Sequence, residues 1–453
     1  MSRHALTAQK LTLEDRRSAC PGLFRMAKAL DGAICRVKLS FGKLSAAQAR
    51  QVAAAARTFG NGVIEITNRA NLQLRGVRPD TEAALIAALL DAGLGPLTDR
   101  GDDVRNVMIS PVAGVDTALI DVRPLAERLL ARLQTDTAYQ TLSPKFCLLV
   151  DGGESIAMVE HPHDIWVSPV NPADAETQFA FGLAGTPTQI GDPPPLGCVE
   201  GERVFTLITA VLDLFIDWCR RHPTASRLRH MLAEVDADAL TDALEHRLGS
   251  SVRSSAAATW RRSPILPDGH LGVLRHEDSD LCLIGAMPPL GRLDPDCLIA
   301  LAGLAESHGG GALRLTAWQS VLLPGVAAAN APTALADLEL LGLRSDPRQP
   351  LATMISCSGS AGCGSALAAT QADGLKLAAL FGNDMAVPQI HLSGCMKSCA
   401  SPSSRPVTLV ATAPGHYDIF LRATDGPSRF GKLLAANVTI EEAAALIGEN
   451  LRL

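Results

Sequence analysis

The chain has 453 residues and a mass of 47.6 kDa, enough for two to four domains. Hydrophobic residues make up 47% and charged residues 19%, which excludes disorder as the main state. A net charge of -6, a pI of about 6.0 and 4% aromatics argue against a broadly basic nucleic-acid surface and against stacking platforms for single strands.

Residues 1–17, MSRHALTAQKLTLEDRR, contain no apolar core for secretion, so a cytoplasmic protein is expected. The uncharged runs 315–336 and 349–372 are broken by Pro, Gly, Ser and Gln and do not read as membrane spans. AICRVKL, from Ala33, reads as a strand. Ser45 then caps a helix that ends at Gly60, where glycine favours a left-handed cap. VIEIT, from Val63, alternates like a strand. Residues 200–250 are helix-rich, and 250–268 read as a linker.

The same order then returns. LCLIGAM precedes a helix capped by Asp294, with Pro295 in its first position and Gly309 at its end, and ALRLT follows. Residues 42–77 align with 291–326 without a gap, and ten positions are identical. The identities include Gly42/Gly291, Gly60/Gly309, Gly62/Gly311 and Gly76/Gly325. An MIS triplet also recurs, at Met108 and Met354, followed by Pro111 in one copy and Cys357 in the other. A duplicated strand–helix–strand unit implies a pseudo-twofold molecule with a cleft between its halves. The expected domains are 20–100 and 268–345 (the repeats), with 101–250 and 350–453 as larger α/β units.

Eleven cysteines without an export signal favour free thiols or metal ligands over disulfides. Five residues separate Cys357 from Cys363, and three separate Cys395 from Cys399. Four soft thiolates in Gly-rich segments suit a [4Fe–4S] cluster. Zinc fits less well, since its usual pairs are closer in sequence. Four inert buried thiols are the plain alternative.

These cysteines, with TNRANLQLRG from Thr67, RNVMISP from Arg105 and LSPKFCL from Leu142, resemble the siroheme-dependent sulfite and nitrite reductase superfamily. The order matches over roughly residues 20–453. The resemblance implies a pseudo-twofold, duplicated α/β fold with two ferredoxin-like half domains and two cluster- and tetrapyrrole-type domains. RSACPGLFRMAKALDGAICRVKL, from Arg17, resembles the precorrin-3B synthase branch. Two departures from the reductase pattern agree with that branch. Met396-Lys397 stands where the reductases carry Pro-Asn, and Cys147 stands where they carry a second lysine after the one matching Lys145.

That branch implies oxygen-dependent hydroxylation of precorrin-3A at C-20 with γ-lactone closure, yielding precorrin-3B for cobalamin biosynthesis. Electrons are expected from an external, NAD(P)H-derived donor, either NADH or a donor protein. Cys357, Cys363, Cys395 and Cys399 are the expected cluster ligands. In the reductases the fourth of these also bridges to the siroheme iron. Arg69, Arg75, Arg105 and Lys145 are the expected substrate cations by motif position, and Lys397 by its place beside the cysteines. Lys is rare here, 8 of 41 basic residues, which adds weight to Lys145. His161 and His163 are candidate ligands for a second, non-haem iron, although EHPHD reads more simply as a solvated loop. A siroheme-dependent sulfite or nitrite reductase is the alternative enzyme. A non-catalytic electron carrier is the alternative of another class.

Overall fold

The two aligned segments fold alike in a computed structural model, which describes residues 20–187, 194–275, 279–382, 385–423 and 429–450. The N-terminal stretch read above for targeting lies outside them. The first repeat builds an antiparallel sheet in the order Ala27–Ala29, Gly32–Val37, Leu72–Val77, Ile64–Ile66. Its fifth strand, Arg292–Leu293, comes from the second repeat. The second repeat returns the exchange. Its sheet runs Gly272–Arg275, Leu281–Ala286, Val321–Ala327, Ala312–Leu315, and ends on Lys43–Ser45 of the first. Each half thus completes the other, and neither sheet is whole alone.

Helices Ala46–Phe59 and Pro295–His308 cover these sheets. Ser45 and Gln48 form a capping box, and Asp294 accepts from the Cys297 amide at 2.8 Å. Ala49, Val52, Ala53 and Ala56 form one buried stripe at helical spacing, and it shares a core with Leu298, Leu301 and Ala305. Arg50–Glu306 and Arg57–Asp296 pair across the helices but are exposed, so burial carries the contact.

The expected left-handed caps are not present. Gly60 and Gly309 have φ of -109° and -121°. Glycine is required there by close approach: a Cβ would lie 2.5 Å from the Arg75 carbonyl oxygen, or 2.6 Å from that of Pro324. Gly309→Ala should lower stability by about 1–3 kcal/mol in chemical denaturation. Gly303→Ala, in the same helix with open space around it, should instead stabilise by about 0.5–1 kcal/mol. Equal effects at the two sites would contradict the packing argument.

The larger units also match each other. Val107–Met108, Leu148–Val150 and His163–Pro169 run parallel, then Gln178–Gly185 and Gly197–Glu200 run antiparallel. Met354–Ser356, Ile390–Ser393 and Val407–Ala413 run parallel, then His416–Leu421 and Lys432–Thr439 run antiparallel. The first strand of one sheet ends on Met108 of the first MIS triplet, and the second triplet is itself the first strand of the other sheet. Residues 250–268 are more than a tether. Trp260 is buried and stacks on Trp166 at 5.6 Å, and Arg262 pairs with fully buried Asp151. Among the described residues no helix is long and apolar enough to cross a membrane.

Candidate functional site

Strands Met354–Ser356 and Ile390–Ser393 are parallel neighbours, with Ser356 opposite Leu392. Cys357 and Cys395 therefore leave the sheet at the same carboxyl edge, where open α/β sheets place their ligands. The Gly394 amide donates to Cys357 Sγ at 3.2 Å, and Thr370 Oγ1 lies 3.5 Å from that sulfur. A Cβ on Gly394 would lie 2.6 Å from the Ala366 Cβ, so the cradle needs bare backbone. Burial raises the pKa of the Cys399 thiol, and Cys357, Cys395 and Cys363 add to the effect. The four sulfurs are thus electrostatic neighbours. Among the described residues no three His, Cys, Asp or Glu side chains stand close enough to hold one metal ion. Four thiolates facing one another from two glycine-flanked pairs fit a [4Fe–4S] cluster, whose usual protein ligands are four cysteines.

Cys357 and Cys399 line a cavity of about 570 Å³ at the junction of the domains. Seven cationic side chains line it: Arg36, Arg69, Lys145, Arg227, Arg229, Lys397 and Arg429. Its two carboxylates are already paired, Glu65 with Arg75 and Arg292, and Asp164 with Arg227. The surplus of positive charge suits a polyanionic ligand.

Arg69 sits in a turn where Ala70 has φ 54°. Its guanidinium donates to the carbonyls of Pro144 and Lys145, at 3.4 and 3.0 Å, which brings two expected cations together. Asn68 Nδ2 donates to the Cys399 carbonyl at 3.0 Å. In the other half Gln319, the repeat partner of Ala70, donates to the Ala400 carbonyl at 3.3 Å. Both turns brace the fourth cysteine. Lys397 Nζ donates to Ser365 Oγ at 3.0 Å.

Arg75 and Arg105 do not line this cavity. Arg75 is held by Asp31, Glu65, Ser358 and Gly362. Arg105 is buried and donates to the Lys38 and Leu94 carbonyls at 2.5 and 3.4 Å. Arg75 is thus held at Nε and at both terminal nitrogens by protein acceptors, and Arg105 lines a smaller pocket beside Arg69 and Asn106. Arg36 was not singled out by sequence, yet it points at the cavity from strand Gly32–Val37. It donates to Gln73 Oε1 at 2.7 Å, and burial, then Arg69, lowers its pKa to about 10. Its strand alternates, and its register partner is Gln73, two residues before Arg75. That was the available signal.

Two positions further on, Lys38 Nζ donates to the Asp102 and Asp103 carbonyls at 2.6 and 2.8 Å. Burial lowers its pKa to about 7, against the opposing pull of Asp102 and Asp103. An unfolded lysine keeps its proton to about pH 10. Between these values the unfolded chain binds more protons, so this group makes stability rise with pH. In denaturation between about pH 7 and 9, Lys38→Met should reduce the pH slope by up to about 1.4 kcal/mol per unit. An unchanged slope would place that proton elsewhere.

The EHPHD segment is not a solvated loop. His161 and His163 are 3% and 1% exposed and line the cavity. Burial holds both neutral, joined by Arg405 for His161 and by Arg69 for His163, whose pKa falls to about 3. Among the described residues His161 Nε2 has no hydrogen-bond partner. Among the described residues no third His, Cys, Asp or Glu joins the pair as a metal-ligand group.

The second half carries different residues at the corresponding place. Trp318 takes the repeat position of Arg69 and stacks on His270 at 4.8 Å. Around it Met158, Trp166, Trp260 and Leu322 form an apolar core.

Comparison with known proteins agrees with this geometry. The nitrite and sulphite reductase 4Fe-4S domain matches residues 100–252. The nitrite/sulfite reductase ferredoxin-like half domain matches residues 28–92 and 275–341. A chloroplastic ferredoxin–nitrite reductase of Zea mays is 30% identical over 420 residues, which is 87% of this chain and 72% of the relative. The chain belongs to the nitrite and sulfite reductase family. A precorrin-3B synthase of Sinorhizobium sp is 28% identical over 92% of this chain and 85% of the relative. The structure of the Mycobacterium tuberculosis NirA protein shares the fold, with a TM-score of 0.74 at 22% identity over 93% of this chain and 80% of that one. The matched span 100–252 lies in the half without the four paired cysteines. Its sheet repeats the order of the cysteine-bearing one, so the duplication extends beyond the half domains of this family member.

Proposed function

We propose that this family member is a precorrin-3B synthase, with its tetrapyrrole in the basic cavity and a [4Fe–4S] cluster on Cys357, Cys363, Cys395 and Cys399. One oxygen atom of dioxygen enters the substrate at C-20, and the other leaves as water with two electrons and two protons. The cluster, when bound, supplies electrons one at a time from the external donor. The chain's own residues bind and orient. Arg36, Arg69, Lys145 and Lys397 meet carboxylates, and the neutral histidines 161 and 163 keep the wall uncharged.

The observation that carries the reading is Cys147. It lines the cavity two residues from Lys145, buried, with its thiol pKa raised by that burial. The reductase pattern has a second lysine there, and reduction of a small anion needs clustered cations. A neutral thiol in place of that lysine removes one cation from the lining, while the cavity keeps arginines that suit a larger carboxylate-edged ligand. The length shared with the Sinorhizobium relative supports the same choice.

A siroheme-dependent nitrite or sulfite reductase is the second reading, favoured by the 30% identity to the Zea mays enzyme. On that reading the same cavity would hold siroheme, itself a carboxylate-rimmed macrocycle. Anaerobic purification with iron, sulfide and tetrapyrrole quantification separates the two. Cluster without siroheme, together with conversion of precorrin-3A, is the expected result. Stoichiometric siroheme with nitrite or sulfite turnover would replace it.

A further inference from the structure

We infer that Arg75 is a positioning residue for the cluster and that its charge tunes the cluster's reduction potential. The inference rests on the cluster assignment above and goes beyond it. The Arg75 side chain is 2% exposed on strand Leu72–Val77. Its Nη1 donates to Ser358 Oγ at 2.8 Å, and its Nη2 donates to the Gly362 carbonyl at 3.0 Å. Ser358 follows Cys357, and Gly362 precedes Cys363. One guanidinium from the first half domain therefore grips the cysteine loop beside each of its two cysteines. A Cβ on Gly362 would overlap that guanidinium, so the loop is shaped around it. The repeat does not need Arg here for folding, because the second copy has Pro324 at this place.

The grip is also electrostatic. Arg75 holds both Asp31 oxygens, at 2.9 and 2.8 Å, and meets Glu65 at 3.3 Å. Arg292, from the second half, pairs with Glu65 at 2.7 Å. Two cations and two carboxylates cancel beside the loop. Net charge around an iron–sulfur cluster sets its potential, because reduction adds an electron. In a poorly solvated site, removing one charge of the four is felt strongly. Arg75→Gln leaves an excess negative charge and disfavours reduction. Glu65→Gln leaves an excess positive charge and favours it.

The test is a redox titration of the purified holoprotein, following the cluster's EPR signal, with iron and sulfide assayed in parallel. Arg75→Gln should shift the midpoint to more negative potential, and Glu65→Gln to more positive potential. The double variant should return towards the parent, and Arg75→Lys should stay near it. A strut without an electrostatic role predicts no pattern of opposite shifts that cancel. Shifts of the same sign, or none, in cluster-replete variants would overturn the inference. If Arg75→Gln fails to retain the cluster, Glu65→Gln and Arg75→Lys decide: an unmoved Glu65→Gln midpoint overturns it. A parent protein with no cluster would instead overturn the cluster assignment.

Discussion

Cys395→Ala is expected to abolish or severely deplete the cluster. Cys395 follows strand Ile390–Ser393, and its carbonyl accepts from Ser393 Oγ at 2.7 Å, so its backbone is fixed. Removing the thiolate leaves one iron without a protein ligand. No spare thiol lies in the cysteine segments, because the other seven cysteines lie outside residues 357–399. Iron and sulfide content and the visible absorption should fall together. Cys395 is only half-buried, so the side-chain change itself costs little. Any drop in thermal midpoint should then be matched by removing the cluster from the parent, since binding free energy is folding free energy. Cys198→Ala is the control: Cys198 is buried in strand Gly197–Glu200 of the other sheet and should leave the cluster intact. Full iron and sulfide in Cys395→Ala would refute the ligand assignment.

The cysteines were legible because their chemistry is written locally, as pairs flanked by glycine. The repeat was legible because its glycines answer local backbone demands, and Gly60 and Gly309 meet the same close approach in each half. What was not legible is what covers each face. Strand alternation puts Gln73 and Arg75 on one face of their sheet, which reads as an open substrate face. The cysteine loop, almost three hundred residues later, closes over Arg75 and leaves Gln73 beside the cavity. EHPHD fails for the same reason. Its polar letters suggest solvent, yet Arg405 and Arg69, from two other units, lie close enough to bias its histidines. Long-range burial decides both cases, and no local pattern encodes it. Arg36 carried a signal in its alternating strand, but the strand's partner had to be known before its face had meaning.

Arg69→Ala is expected to weaken precorrin-3A binding by roughly ten- to a hundredfold, the loss of one charged hydrogen bond of about 1.5–3 kcal/mol. A ligand with several carboxylates loses hydration on entering the cavity, and only fixed cations offset that cost. Arg69 is fixed: its contacts to the Pro144 and Lys145 carbonyls use part of its donor set, and a guanidinium has five N–H groups. The remaining donors are available to the substrate. The variant also frees the Lys145 backbone, so the loss should exceed that of Lys397→Ala, whose exposed ammonium is more strongly solvated. Arg69→Lys keeps the charge but loses the fork and should fall between parent and Ala. Cluster content should stay at the parent level, because the turn braces Cys399 through Asn68 and not through Arg69. Salt gives an independent reading. Binding of a polyanion to several cations weakens with ionic strength, and the slope should be shallower in Arg69→Ala than in the parent. If Arg69→Ala binds precorrin-3A as tightly as the parent, with the same salt slope, the substrate does not occupy this cavity. A tetrapyrrole held there must feel the loss of a cation from the cavity lining.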